Sequence, residues 1–300
     1  MVSFKSILVS SLLVRAVSCS PVAGHPPIVR PSAMLGPPIM AGPHPIAGPH
    51  QSPTPTPSGT PPDTPPDTPS GKRGLAYNNP KLLSAFFQTG GPFSWSYNWA
   101  SRPGGNSPNV EFVPMLWGPR AFGSWQSDAS ASLAAGSAHL LAFNEPDIAE
   151  QANMSPQAAA EAYQMYMNPF AGKAKLGSPA VSNGGPPLGL TWMANFLTAC
   201  GGKCHIDFLV IHWYNGAWLV EDFKNHVSAA IALAMQYGID KVWITEFGAH
   251  GDEGAQAQFL KEVLPWLDSN PGVERYAYFF VDQLVRGDSL SLVGKAFSAV

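Results

Sequence analysis

The sequence predicts an α/β protein: one closed (β/α)8 barrel behind a disordered, proline-rich N-terminal segment. Three observations point there. Of 31 prolines in 300 residues, 17 lie between Pro21 and Pro69. Beyond them, short apolar strand-like runs alternate with helical patterns, as βα units around a parallel sheet do. The runs number eight in about 230 residues, close to the ≈ 250 typical of a TIM barrel.

Residues 1–19 read as a secretory signal peptide: Lys5 gives a positive start, and the apolar run through Val14 is too short to span a bilayer. Residues 20–73 read as a disordered stalk or propeptide, because proline removes backbone donors and forbids ladders. Serine and threonine beside proline offer O-glycosylation sites, and His25, His44 and His50 belong to this solvated linker. Lys72 and Arg73 form a dibasic pair at the stalk's end, expected on an exposed tether and therefore a processing site. Residues 74–300 are the barrel domain.

The strand runs are 75–78, 93–100, 110–117, 139–144, 175–182, 206–214, 241–247 and 275–281. Helical patterns fall at 80–88, 127–135, 156–167, 190–199, 219–237 and 255–268. An open doubly wound sheet is the rival arrangement, but no Gly-x-Gly-x-x-Gly follows the first strand. Cys19 leaves with the signal. Cys200 and Cys204 then remain, with no second pair to complete a metal site, and a small loop disulfide is expected. Asn153-Met154-Ser155 is a glycosylation acceptor triplet.

Composition excludes some functions. Seventeen Lys+Arg against 20 Asp+Glu give a net charge of −3, so no basic patch serves a nucleic acid. After the first twenty residues no stretch is long and apolar enough to span a membrane. Only 12% of residues are charged and nine are Trp, which suits a neutral, hydroxyl-covered partner such as a sugar. A monomer is expected.

Active sites in such barrels sit at the C-terminal ends of the strands. Those ends carry Tyr77, Asn78, Trp99, Trp117, Asn144, Glu145, Asn183, His212, Tyr214, Glu246 and Asp282. Glu145 and Glu246 each close an apolar run, on the fourth and seventh strands. A carboxylate there is costly to bury unless paired or used. Two such groups suit glycoside hydrolysis, in which one carboxyl protonates the leaving oxygen while the other attacks or activates water. No metal or organic cofactor is needed. Asn144 could bind the sugar 2-hydroxyl, Tyr214 could donate to Glu246, and His212 could tune either carboxyl or be a satisfied core histidine. Trp99, Trp117 and Tyr214 are candidates for stacking on sugar, and Asn183 joins the substrate-binding set. Trp125 and Trp218 are placed in loops that could line outer subsites, and Trp192 and Trp243 in the core.

Asn144-Glu145-Pro146 and Thr245-Glu246-Phe247-Gly248 resemble the retaining (β/α)8 glycoside hydrolases. With Phe143 to Asp147, Ser178 to Asn183, Cys200 and Cys204, Asp207 to Tyr214, Trp243 to Gly248 and Tyr278 to Asp282, residues 74–300 resemble glycoside hydrolase family 128, fungal β-1,3-glucanases. The resemblance implies Glu145 as acid/base, Glu246 as nucleophile, a glycosyl-enzyme intermediate, and a β-glucan polysaccharide or oligosaccharide as partner, and the activity expected is that of an endo-acting β-1,3-glucanase. It also implies a secreted protein, extracellular or in the cell wall. The alternative is a cell-wall protein that binds β-glucan with little or no turnover.

Overall fold

The computed structural model describes residues 71–88, 90–105 and 110–299. The expected signal peptide at 1–19 and all but the last residues of the expected stalk lie outside the described residues. Eight strands form one sheet: β1 (Arg73–Ala76), β2 (Phe93–Tyr97), β3 (Glu111–Phe112), β4 (His139–Leu140), β5 (Lys175–Val181), β6 (Phe208–Gly216), β7 (Val242–His250) and β8 (Val273–Tyr278). They run in the order β3-β2-β1-β8-β7-β6-β5-β4 with parallel pairing throughout. A parallel bridge between Met115 and Leu141, just past β3 and β4, closes the ring. The (β/α)8 barrel expected from the alternating pattern is therefore the fold.

Helices α1 (Ser84–Phe87), α2 (Phe122–Ala134), α3 (Pro156–Tyr166), α4 (Gly189–Cys200), α5 (Val220–Gln236), α6 (Glu253–Ser269), α7 (Val281–Leu284) and α8 (Leu292–Ser298) surround the strands. Local chemistry sets their ends. Ser155 and Asp252 accept hydrogen bonds from Ala158 N and Ala255 N, capping α3 and α6 where backbone donors would otherwise be orphaned. Pro156, at the first position of α3, has no donor to lose there. Cys200 and Cys204 form the expected disulfide directly after α4. No helix among the described residues is long and apolar enough to cross a membrane.

Two local expectations need correction. α2 begins at Phe122, five residues before the predicted helix, and so takes in Trp125. Trp125 is fully buried and donates its indole N–H to Tyr166 O at 3.0 Å, so it packs the core rather than an outer subsite. Second, Arg73 is not on an exposed tether. It opens β1, is 5% exposed, and donates to Tyr276 Oη at 2.8 Å, Asp268 Oδ2 at 2.8 Å, Phe297 O at 3.0 Å and Ala299 O. Lys72 donates to the carbonyls of Leu267 and Asn270. A guanidinium in the dark needs several acceptors, and the barrel floor supplies them.

The barrel interior holds Trp95, Tyr97, Phe208, Val210 and Trp243 among smaller residues, and a larger apolar layer lies between strands and helices. Gly74 permits the tight filling, since a Cβ there would stand 2.1 Å from the Trp95 ring. Beneath this layer sits a charged floor. Glu111 accepts from the backbone N–H groups of Ala138 and His139, from Arg275 at 2.7 Å, and pairs with the His139 ring at 2.8 Å. Arg275 also lies 4.7 Å over the Trp243 ring. Burial alone would raise the Glu111 carboxyl. The His139 hydrogen bond and the Arg275 charge reverse that and hold it down to about 2. A folded-state value below the unfolded one gives stability that is present above the ordinary carboxylate range and lost as pH falls through it. The group is buried, so roughly 3 kcal/mol is expected to disappear between about pH 5 and pH 2. Urea midpoints for the wild type and Glu111→Gln across that range check this. Parallel pH slopes for the two proteins would refute it.

Candidate active site

Glu145 emerges where β4 runs out. The chain there is held to its neighbours: Asn144 N–H donates to Trp117 O at 2.9 Å, and Glu145 N–H to Ala180 O at 2.8 Å. Glu145 itself has φ of 41°, in the left-handed region. A non-glycine residue there costs of order 1–3 kcal/mol and persists only where its surroundings enforce it. One such constraint is Asp147. Its carboxylate accepts from Ser182 Oγ at 2.6 Å, Ser182 N at 3.2 Å and Gly189 N at 2.9 Å, tying the exits of β4 and β5 to the start of α4.

Glu246 lies within β7, facing Glu145 across the rim. Both of its oxygens accept hydrogen bonds: Oε1 from the Trp99 indole N–H at 2.7 Å, Oε2 from the Tyr214 hydroxyl. His212, fully buried, stands between the two glutamates. Its Nδ1 is 2.9 Å from Glu145 Oε1; its Nε2 is 2.9 Å from Thr245 Oγ1 and 3.5 Å from Glu246 Oε1. Tyr97 steadies the Thr245 backbone by donating to its carbonyl at 2.9 Å. A carboxylate oxygen of each glutamate and a ring nitrogen of His212 all lie within 4.8 Å of one another. Such a trio can also hold a divalent cation. Here both His212 nitrogens and both Glu246 oxygens already face protein partners.

Electrostatics differentiates the groups. Burial pushes Glu246 up from the usual carboxylate range; His212 pulls it back, the Glu145 charge pushes it further up, and the Tyr214 and Trp99 donors pull it back. Burial alone would lower His212, but the charge of Glu246 and the hydrogen bond and charge of Glu145 raise it overall. Tyr214 is raised far above its ordinary value, first by burial and then by Glu246, so its hydroxyl keeps the proton it donates.

The other residues selected from sequence lie around this trio or in the core. Asn183 uses its amide on the backbone of Tyr214, accepting from its N–H at 3.1 Å and donating to its carbonyl at 3.2 Å, and so positions Tyr214. Trp99 is a hydrogen-bond donor to Glu246, with its ring edge-on to Phe279 and Phe280. Trp117 is half-buried, with the Arg120 guanidinium 3.4 Å over its ring. Asn144 donates to Gln151 Oε1 at 3.2 Å, while its buried Oδ1 has no partner among the described residues. Trp192 and Trp243 are buried, as expected for core residues. Asn153 is exposed in the β4–α3 loop. Asp147, Thr245 and Gln151 escaped the sequence reading. Asp147 carried the one available signal, a second acid two residues past Glu145.

Comparison with known proteins adds the family. The model described as "Glycosyl hydrolase catalytic core" matches residues 74–296. A GH128 (subgroup III) curdlan-specific exo-β-1,3-glucanase from Blastomyces gilchristii, solved in complex with glucose, is 66% identical; the match covers 78% of this chain and 100% of that one, with a TM-score of 0.76. A GH128 (subgroup I) endo-β-1,3-glucanase from Amycolatopsis mediterranei, solved with laminaripentaose, is 28% identical over 76% of this chain and 98% of that one, with a TM-score of 0.65. Alkali-sensitive linkage protein 1 of Schizosaccharomyces pombe is 33% identical over 224 residues, 70% of this chain and 39% of that protein. The chain thus spans about two-fifths of the length of that curated relative.

Proposed function

Because this chain belongs to the glycosyl hydrolase catalytic core family, with the core of glycoside hydrolase family 128, we propose that it hydrolyses β-1,3-glucan with retention of anomeric configuration, using Glu145 as acid/base and Glu246 as nucleophile. One observation carries the reading: two carboxylates with oxygens within 4.8 Å of each other at one rim of the barrel. So close an approach favours direct attack, as in retaining enzymes with carboxyls ≈ 5–5.5 Å apart, over the ≈ 6.5–9.5 Å separation of inverting ones.

Glu246 attacks the anomeric carbon as Glu145 delivers its proton to the departing glycosidic oxygen. The C–O bond to the leaving sugar breaks, and an ester to Glu246 forms. Glu145, now ionised, takes a proton from water; the hydroxyl adds to the anomeric carbon and Glu246 leaves as carboxylate. Trp99 and Tyr214 hold the Glu246 oxygens and favour the ionised form that attacks. His212 holds Glu145 on its Oε1 side, leaving the other oxygen for the substrate. The likeness to the Blastomyces exo-β-1,3-glucanase, at 66% identity, favours exo action over the endo action expected from the sequence. The disulfide fits an oxidising compartment, and so action on glucan outside the cell or in a wall, with the exposed Asn153 as a glycan acceptor there.

The test is a time course on β-1,3-oligosaccharides of defined length, with β-1,6- and β-1,4-linked controls, read by product sizing and by proton NMR of the first-formed anomer. Glucose as the early product, first in the β-anomeric form, is expected. A first-formed α-anomer would refute retention, cleavage confined to another linkage would refute the substrate, and binding without product would leave a lectin-like wall protein.

A further inference from the structure

β6 presents alternate side chains to opposite faces, as any strand does. His212 and Tyr214 face the two glutamates. Trp213 points the other way, packing on Phe223 and Phe259 beneath the helices. Residue 216 therefore belongs to the catalytic face, two residues and about 7 Å beyond Tyr214 toward the rim. It is a glycine, and its vacant side-chain position is filled by another residue. A Cβ on Gly216 would come within 2.5–2.7 Å of three atoms of the Trp218 indole. Trp218 folds back over that backbone, in line with His212 and Tyr214, while 77% of the residue stays exposed.

The turn carrying Trp218 is well secured. Ala217 N–H donates to His250 O at 2.9 Å, Leu219 N–H to Gly216 O at 2.9 Å, and the Asn215 side chain accepts from Gly216 N at 3.0 Å. The result is a large, rigid, apolar ring on a fixed mount, open to solvent, continuing the wall of the site. Such a ring stacks on the C–H face of a neutral pyranose at little entropic cost.

We propose that Trp218 is a stacking platform for a glucose unit of the β-glucan chain beyond the cleaved bond, and that it sets the preference for long chains over short ones. The inference rests on the glucanase reading above. It predicts that Trp218→Ala, made in the full chain, lowers selectivity for long over short β-1,3-glucans, measured as the ratio of kcat/KM values, by about 5- to 10-fold, the worth of one lost ring contact. The loss should sit in KM on the long substrate. Trp218→Phe keeps most of the selectivity. Gly216→Ala keeps the indole but displaces it, and should reproduce the alanine effect. Thermal unfolding of Trp218→Ala should match the wild type, because so exposed a ring contributes little to stability.

An unaltered ratio, or equal losses on short and long substrates, overturns the platform while wild-type cleavage leaves the glucanase reading standing. Higher activity of Trp218→Ala on long glucan would also overturn it, by showing that the ring obstructs the chain. If the wild type cleaves no β-1,3-glucan of any length, the functional reading itself fails.

Discussion

Glu246→Gln lowers kcat on β-1,3-glucan by on the order of 10⁴-fold or more, the scale seen when a group that forms the covalent bond is removed. The amide keeps the shape and can still meet Tyr214 and Trp99, so folding and oligosaccharide binding persist. Calorimetric binding of a laminari-oligosaccharide beside a rate assay separates the two effects; substantial remaining turnover would overturn the assignment. A milder change probes the same group. Trp99→Phe removes one donor from Glu246, and a hydrogen bond to a charged group is worth about 1.5–3 kcal/mol. Burial already pushes Glu246 up, so losing a donor pushes it further. The acidic limb of the pH–rate profile should therefore move to higher pH. A variant that was slower at every pH with an unmoved limb would mean that the indole merely packs.

The second large effect concerns stability. Arg73→Ala is expected to cost roughly 3 kcal/mol, because it strips donors from two backbone carbonyls and a tyrosine hydroxyl and removes the partner of Asp268. Asp268 is 43% exposed, which keeps the figure below that of a fully buried pair. At the few degrees per kcal/mol usual for this size, Tm falls by about 10 °C. The same contacts bear on the dibasic pair. Cutting after Arg73 would carry its guanidinium away from the floor of the barrel, so a Lys-Arg-specific protease should spare this bond in the native protein and cut it in urea. An unaffected Tm, or rapid native cleavage at Arg73, would show these contacts to be dispensable.

The barrel was legible because each strand is a short apolar run and each crossover a helical one, both local signals. The two glutamates stood out for a related reason: a charge closing an apolar run is conspicuous without any partner in view. What stayed hidden depends on neighbours remote in the chain. Trp99 meets Glu246 across 147 residues and Arg275 meets Glu111 across 164, and no local pattern announces either. Arg73 looked like a tether residue because a basic pair after a proline-rich stretch is usually solvated; its acceptors come from α6, β8 and α8. The start of α2 is hard to see locally because Phe122-Gly123-Ser124 is a poor helix opening and no side chain caps it. Asn183 lies at a strand end, and its bonds to the backbone of Tyr214, on the adjacent strand, carry no local signal.

The joint at Arg73 has one more consequence. β1 pairs with β8, and the same guanidinium reaches the carbonyls of Phe297 and Ala299, so both extremities of the barrel meet on the floor, away from the glutamates. A linker of a few residues could join them, and the chain could be reopened at a surface loop such as that between α5 and β7. A permuted enzyme of this kind would keep its rim intact and free the floor for fusion or immobilisation without crowding the cleft.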